Sequence, residues 1–149
     1  MTHQELKEAI KDAMRAKDTV RLSVLRGLSA AATNELVAKG RKPDEMLSDE
    51  DLLNVIIRAA KQRKDSIEQF TAGGRPELAE SEQAELAILE TMLPTQMSRD
   101  EITAAAKAKA AEMGVTDKTG ANKLMGMLMK DLKGKADGTV VKEIVEGLF

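Results

Sequence analysis

The stretch "SDEDLLNVIIRAAKQRKDSIEQFTAGG", residues 48–74, sets apolar side chains at three- and four-residue steps, a period that fits a helix and not a strand. Leu52, Val55, Ile56, Ala59, Ala60, Ile67 and Phe70 fall on one broad face. Ser48 stands at the N-cap position with Asp51 three residues on, and acids crowd the first turn, where the helix dipole favours them. Gly73 and Gly74 end the run. The same spacing recurs along the chain: Leu6, Ile10 and Met14; then Val20, Leu22, Leu25, Leu28 and Leu36; then Leu78, Leu86, Leu89 and Met92. Only Phe70 and Phe149 are aromatic, so the core must be built from Leu, Ile, Val, Ala and Met. Such a core suits helix-on-helix packing, and the fold class expected is all-α.

Punctuation divides the chain. Thr2 with Glu5 predicts a capped first helix over 2–16, and Asp18 caps a second that runs toward Gly40. "GRKPDEML" reads as a loop, and the fourth helix lies in "RPELAESEQAELAILETML". Pro94 follows that helix, and Ser98 in "SRDEI" opens another over roughly 99–113, ending at Gly114. "ANKLMGMLMKDLK" is the sixth, and Gly134 stops it. Asp137 or Thr139 starts a last short helix with Val140, Val141, Ile144, Val145 and Leu148. The expected organisation is an N-terminal four-helix bundle over 1–94 and a C-terminal three-helix bundle over 95–149.

Several function classes drop out. Cysteine is absent, which excludes disulfides and thiolate metal sites. The start "MTHQELKEAIKDAMRAK" lacks an apolar signal-peptide core, and no run approaches the ~20 apolar residues of a membrane span. A cytoplasmic chain with no membrane partner is expected. A net charge of −2 gives no bulk attraction to nucleic acid, and no DNA partner is expected. The sole histidine, His3, reads as a solvated residue of the N-terminal turn, with no second ligand near it for a metal. Ser23, Ser29, Ser48, Ser66, Ser81 and Ser98 include no strained G-x-S-x-G elbow, and no glycine-rich phosphate loop is present. No catalytic residue, metal or cofactor is therefore assigned. Glu82, Glu85 and Glu90 face Lys61, Arg63 and Lys64 as interhelical ion pairs or as an acid–base set, the former being the commoner use. Met113, Met125, Met127 and Met129 serve either as gap-filling core or as an adaptable surface.

The segments "LRGLSAAATNELV", "KQRKDSIEQF" and "GGRPELAESEQAELAILETMLPTQMS" resemble the YqeY-like family. "NKLMGMLMKDLKGKADGTVVKEIV" is similar to the tail domain carried by the kinase-like subunit of the glutamine-dependent aspartyl/glutamyl-tRNA amidotransferase. Asn122 stands where the family often has Gly, Met92 where Tyr is common, and Lys135 where Arg is usual. Lys135 keeps the charge without the planar fork of Arg, which loosens recognition of phosphate or carboxylate. The resemblance implies an all-α fold in two parts and a tRNA-contacting role for the second. It also carries the label of a carbon–nitrogen ligase with glutamine as amido-N-donor, although that enzyme's catalytic parts lie outside the tail.

Nine basic and eight acidic residues follow Pro94, against fourteen and seventeen before it. Lys118, Lys123, Lys130, Lys133, Lys135 and Lys142 are the RNA-binding candidates, since lysines neutralise phosphates. The N-terminus of the last helix would add backbone donors. In "GKADG", Gly134 and Gly138 would let the backbone reverse, with Asp137 restarting a helix and Lys135 displayed at its entrance. Lacking aromatics to stack on single-stranded bases, the chain is left with shape-and-phosphate contact to a folded RNA. The function expected is a non-catalytic accessory protein associated with tRNA or with a tRNA-modifying or charging enzyme. The alternatives are a protein–protein adaptor, through the Met-rich helix or the acidic N-terminal part, and the ligase of the family label.

Overall fold

The computed structural model describes residues 1–94 and 96–149, and among them every long element is helical. α1 spans His3–Ala16, α2 Thr19–Ala38, α3 Asp49–Ala72 and α4 Pro76–Glu90. α5 spans Arg99–Met113, a 3-10 turn covers Lys118–Gly120, α6 spans Ala121–Asp131 and α7 Gly138–Gly147. The chain forms two compact units, Met1–Leu93 and Pro94–Phe149.

In the first unit, Leu6, Leu25, Leu36, Leu52, Ile56 and Leu89 are sealed from solvent and draw all four helices onto one aliphatic core. Local chemistry starts each helix. Thr2 and Glu5 close a reciprocal capping box, while the side chains of Asp18 and Ser48 accept from the backbone N–H groups of Arg21 and Asp51. Lys17, with φ of 56°, turns the chain from α1 straight into α2. That two-residue turn joins the two helices directly. Ala13 takes the inward position there, and Met14, expected in the core, is 51 % exposed. Val20, beside the same turn, also faces outward at 46 % exposure, and Val24 begins the buried stripe of α2.

His3 departs from its expected solvated state. It is 5 % exposed, and its Nδ1 accepts a 2.8 Å hydrogen bond from the N–H of Leu47, itself buried. Leu47 tucks its side chain into the core and thereby takes its own N–H out of water, so an acceptor must meet it. Burial, followed by the positive charge of Lys7, pushes the imidazole pKa down, as fits an unprotonated acceptor.

Charges across α3 and α4 pair as interhelical bridges. Arg63 Nε lies 2.9 Å from Glu85 and 3.5 Å from Glu82, all three side chains half-buried. Arg58 reaches Glu35 of α2 at 2.9 Å, and Lys39 reaches Asp51 at 3.5 Å. Glu90 is exposed instead.

In the second unit, Ile102, Ala106, Leu124, Leu128, Val141 and Val145 join α5, α6 and α7. Ser98 and Glu101 form a capping box on α5, and Gly114 ends it at φ +70°. The segment ahead of α5 is tied to the turn between α6 and α7: the Met97 N–H donates to the Lys135 carbonyl at 2.8 Å, and the Gln96 amide donates to the Gly134 carbonyl at 2.8 Å.

Candidate nucleic-acid interface

The six candidate lysines are all exposed, but they occupy four settings. Lys118 sits in the 3-10 turn, Lys123 and Lys130 on α6, Lys133 and Lys135 in the turn that follows, and Lys142 on α7. Lys123 and Lys130 are seven residues apart, which aligns them on one helix face about 10 Å from each other. Gly126 and Met127 lie between them on that face, both exposed, while Leu124 and Leu128 point the other way into the core. Methionine therefore has two uses here. Met113 and Met125 pack against the core, whereas Met127 is 38 % exposed.

Nearby acids are held by other groups. Asp131, at the end of α6, pairs at 3.1 Å with Lys109 of α5, which also reaches Glu112 at 3.7 Å. The hydrogen bond to Asp131 heads the causes that raise the Lys109 pKa. Glu143 of α7 pairs with Arg99 at 3.1 Å. The Asp117 carboxylate accepts from both the N–H and the hydroxyl of Thr119, and these bonds, the hydroxyl's first, hold its pKa below the ordinary carboxylate range. Among the described residues, Lys118, Lys123, Lys130, Lys135 and Lys142 make no ion pair.

The helix N-termini differ from one another. On α7 the Asp137 carboxylate accepts from the Thr139 N–H at 2.8 Å, so an acid already sits where an incoming anion would. α6 opens at Gly120 with no side-chain cap, between Lys118 and Lys123. Gly120 is required by packing, because a Cβ there would come within 2.8 Å of Val115 Cγ1. Of the two turn glycines, Gly134 has φ +77° and makes the reversal. Gly138 is the first residue of α7, and the Met129 side chain lies over it. Residues 123, 126, 127 and 130 share the i, i+3, i+4, i+7 spacing of one helix face, a signal in the sequence that joins Gly126 to Met127 and the two lysines.

Among the described residues, no three His, Asp or Glu side chains gather as metal ligands, and no helix is long and apolar enough to cross a membrane.

The family profile described as Yqey-like protein matches residues 3–149. The chain belongs to the Yqey-like family. It is 40% identical over 103 residues to "Altered inheritance of mitochondria protein 41, mitochondrial" of Kluyveromyces lactis, covering 66% of this chain and 53% of that protein. The like-named protein of Lachancea thermotolerans is 40% identical over 89 residues, covering 59% of this chain and 46% of its own length. That of Saccharomyces cerevisiae is 30% identical over 133 residues, covering 89% and 68%. The chain thus spans about half the length of the first two of these Yqey-like relatives. Their names place them in mitochondria, which overturns the cytoplasmic expectation. That expectation rested on absent cysteines and on the lack of a secretory or membrane signal, and neither feature separates the cytosol from an organelle.

Proposed function

We propose that this Yqey-like chain is a non-catalytic accessory protein that binds a folded RNA, tRNA foremost, through its C-terminal unit. One observation carries the reading: exposed lysines gather on α6 and the turns at either end of it while Asp131 and Glu143 are engaged by Lys109 and Arg99. Such a surface carries positive charge that a phosphate backbone would neutralise, releasing counterions. The similarity of residues 122–145 to a tRNA-contacting tail domain supports tRNA over other RNAs. Association with an enzyme that modifies or charges tRNA would follow from sharing that ligand. Amide transfer is not part of the proposal, since Ser48 and Ser98, the serines nearest to a helix start, spend their hydroxyls on capping α3 and α5.

The test is a titration of purified protein with total tRNA at two salt concentrations. Affinity should fall steeply with salt, and Lys130→Glu with Lys135→Glu should weaken binding about tenfold or more at low salt. No binding at low salt, or binding indifferent to salt and to these changes, would overturn the proposal. A defined protein partner retained after nuclease treatment, with no affinity for tRNA, would favour the adaptor reading instead.

A further inference from the structure

Most glycines of this chain have an internal reason to be glycine. Gly40, Gly74, Gly114 and Gly134 hold positive φ angles that side chains disfavour. Gly120 accommodates Val115, and Gly138 lies under Met129. Gly126 has no such reason. It sits in the middle of α6 with ordinary helical geometry, and a Cβ built on it meets nothing within 4 Å. Glycine weakens a helix interior more than any residue except proline, so the position forgoes stability without a packing return. A bare backbone on an outward face permits something outside the chain to approach it closely.

What surrounds Gly126 says what that is. Lys123 and Lys130 flank it along the helix, about 10 Å apart, with no ion pair among the described residues. Met127, one residue on, offers an apolar patch between the two charges. Cation, bare backbone, apolar side chain and cation match a sugar–phosphate backbone, in which charged phosphates alternate with less polar sugars. Gly27 of α2 is equally uncovered and has the exposed Arg26 beside it, but its outward neighbours along the helix, Ser23, Ala30 and Asn34, carry no charge, so no pair of cations flanks it as Lys123 and Lys130 flank Gly126. Charge complementarity therefore separates two glycines that geometry alone leaves equivalent.

We infer that the outward face of α6, formed by Lys123, Gly126, Met127 and Lys130, seats the backbone of the bound RNA, with Gly126 the point of closest approach. This rests on the RNA-binding reading above and assigns it to one helix face. The lysines contact phosphates on either side, and the missing side chain lets the ribose lie against the helix. Recognition of this kind reads the shape of the folded RNA and not its base sequence.

The experiment pairs stability with tRNA affinity in Gly126→Ala, Gly126→Gln and the control Gly27→Ala. Both Ala variants should melt a few degrees higher, because alanine favours a helix. Gly27→Ala should bind tRNA as the parent does. Gly126→Ala should bind several-fold more weakly, and Gly126→Gln, which adds a long uncharged side chain, about tenfold more weakly with its helical circular dichroism intact. If Gly126→Gln binds tRNA like the parent while Lys130→Glu does not, the assignment to this face is overturned and the RNA-binding reading stands. If the parent itself fails to bind tRNA at low salt, the RNA-binding reading falls and the inference with it. Retention of a protein partner, lost in Gly126→Gln, by a parent that ignores tRNA would likewise exclude RNA as the occupant.

Discussion

The two units handle charge in different ways. In Met1–Leu93, cations and acids meet across helices: Arg58 with Glu35, Lys39 with Asp51, Arg63 with Glu85 and Glu82. These bridges tie α2 to α3 and α3 to α4, on top of an aliphatic core, and favour one register of packing. In Pro94–Phe149, two cross-helix pairs, Lys109 with Asp131 and Arg99 with Glu143, occupy acids and leave exposed lysines on α6 without partners. Each unit thus pairs part of its charge across helices, and in the second unit Lys123 and Lys130 of α6 stay outside those pairs on one helix face. Net charge carries little information about binding when the acids are already engaged.

The comparison extends to the cores. Among the described residues, fifteen buried apolar side chains form the first cluster and eight the second, so each buried leucine is a larger share of the smaller core. Leu128→Ala removes a side chain that is 2 % exposed and should cost about 2–5 kcal/mol. Hydrogen exchange should then quicken in α5, α6 and α7 while amides of α1–α4 stay protected. Equal loss of protection in both would show that the cores melt together and would blunt the contrast.

A smaller effect belongs to the first unit alone. Protonation of His3 would remove the acceptor for the Leu47 N–H and place a charge in a buried site beside Lys7. The folded imidazole has a pKa below the 6.5 of a free histidine, so the unfolded chain binds the proton first as pH falls. The stability contributed is complete above pH 6.5 and is lost as pH falls through the lowered folded value. His3→Ala should cost about 1–3 kcal/mol at neutral pH, for the stranded N–H, and should flatten this part of the acid profile. Denaturant melts of the parent and variant between pH 7 and 5 check both. An unchanged profile would mean that the imidazole does not titrate with unfolding.

The smallest effect sharpens the comparison most. Gly27→Ala and Gly126→Ala should each stabilise the protein by up to about 1 kcal/mol, since neither new methyl meets a neighbour. The two variants are alike in thermal melts and are expected to part only in tRNA affinity. Matching behaviour in both measurements would erase the distinction between the outward faces of α2 and α6.

Much of this was legible in the residue order. Periodicity and caps place the helices because both act within a few residues: Thr2 with Glu5, Ser48 with Asp51 and Ser98 with Glu101 are three apart and bond as expected. Arg63 meeting Glu82 and Glu85 was also readable, from helical faces that must oppose each other. The choice of Ala13 over Met14 for the inward position was not, because a stripe drawn through Leu6 and Ile10 admits either, and which of the two faces the core depends on how α1 is turned in the packed unit. Lys123 and Lys130 were visible as residues, but their lack of ion-pair partners was not, since it depends on where Asp131 and Glu143 turn.

By itself, then, the amino-acid order determined an all-helical chain with an aliphatic interior, because helix formation, capping and glycine stops are settled by near neighbours. Only the tertiary structure decided that His3 is buried as an acceptor and that the lysines flanking Gly126 lack counter-charges. His3 and Leu47 lie 44 residues apart, as do Arg99 and Glu143, and such contacts exist only once separate helices have packed and their side chains have competed for the same partners.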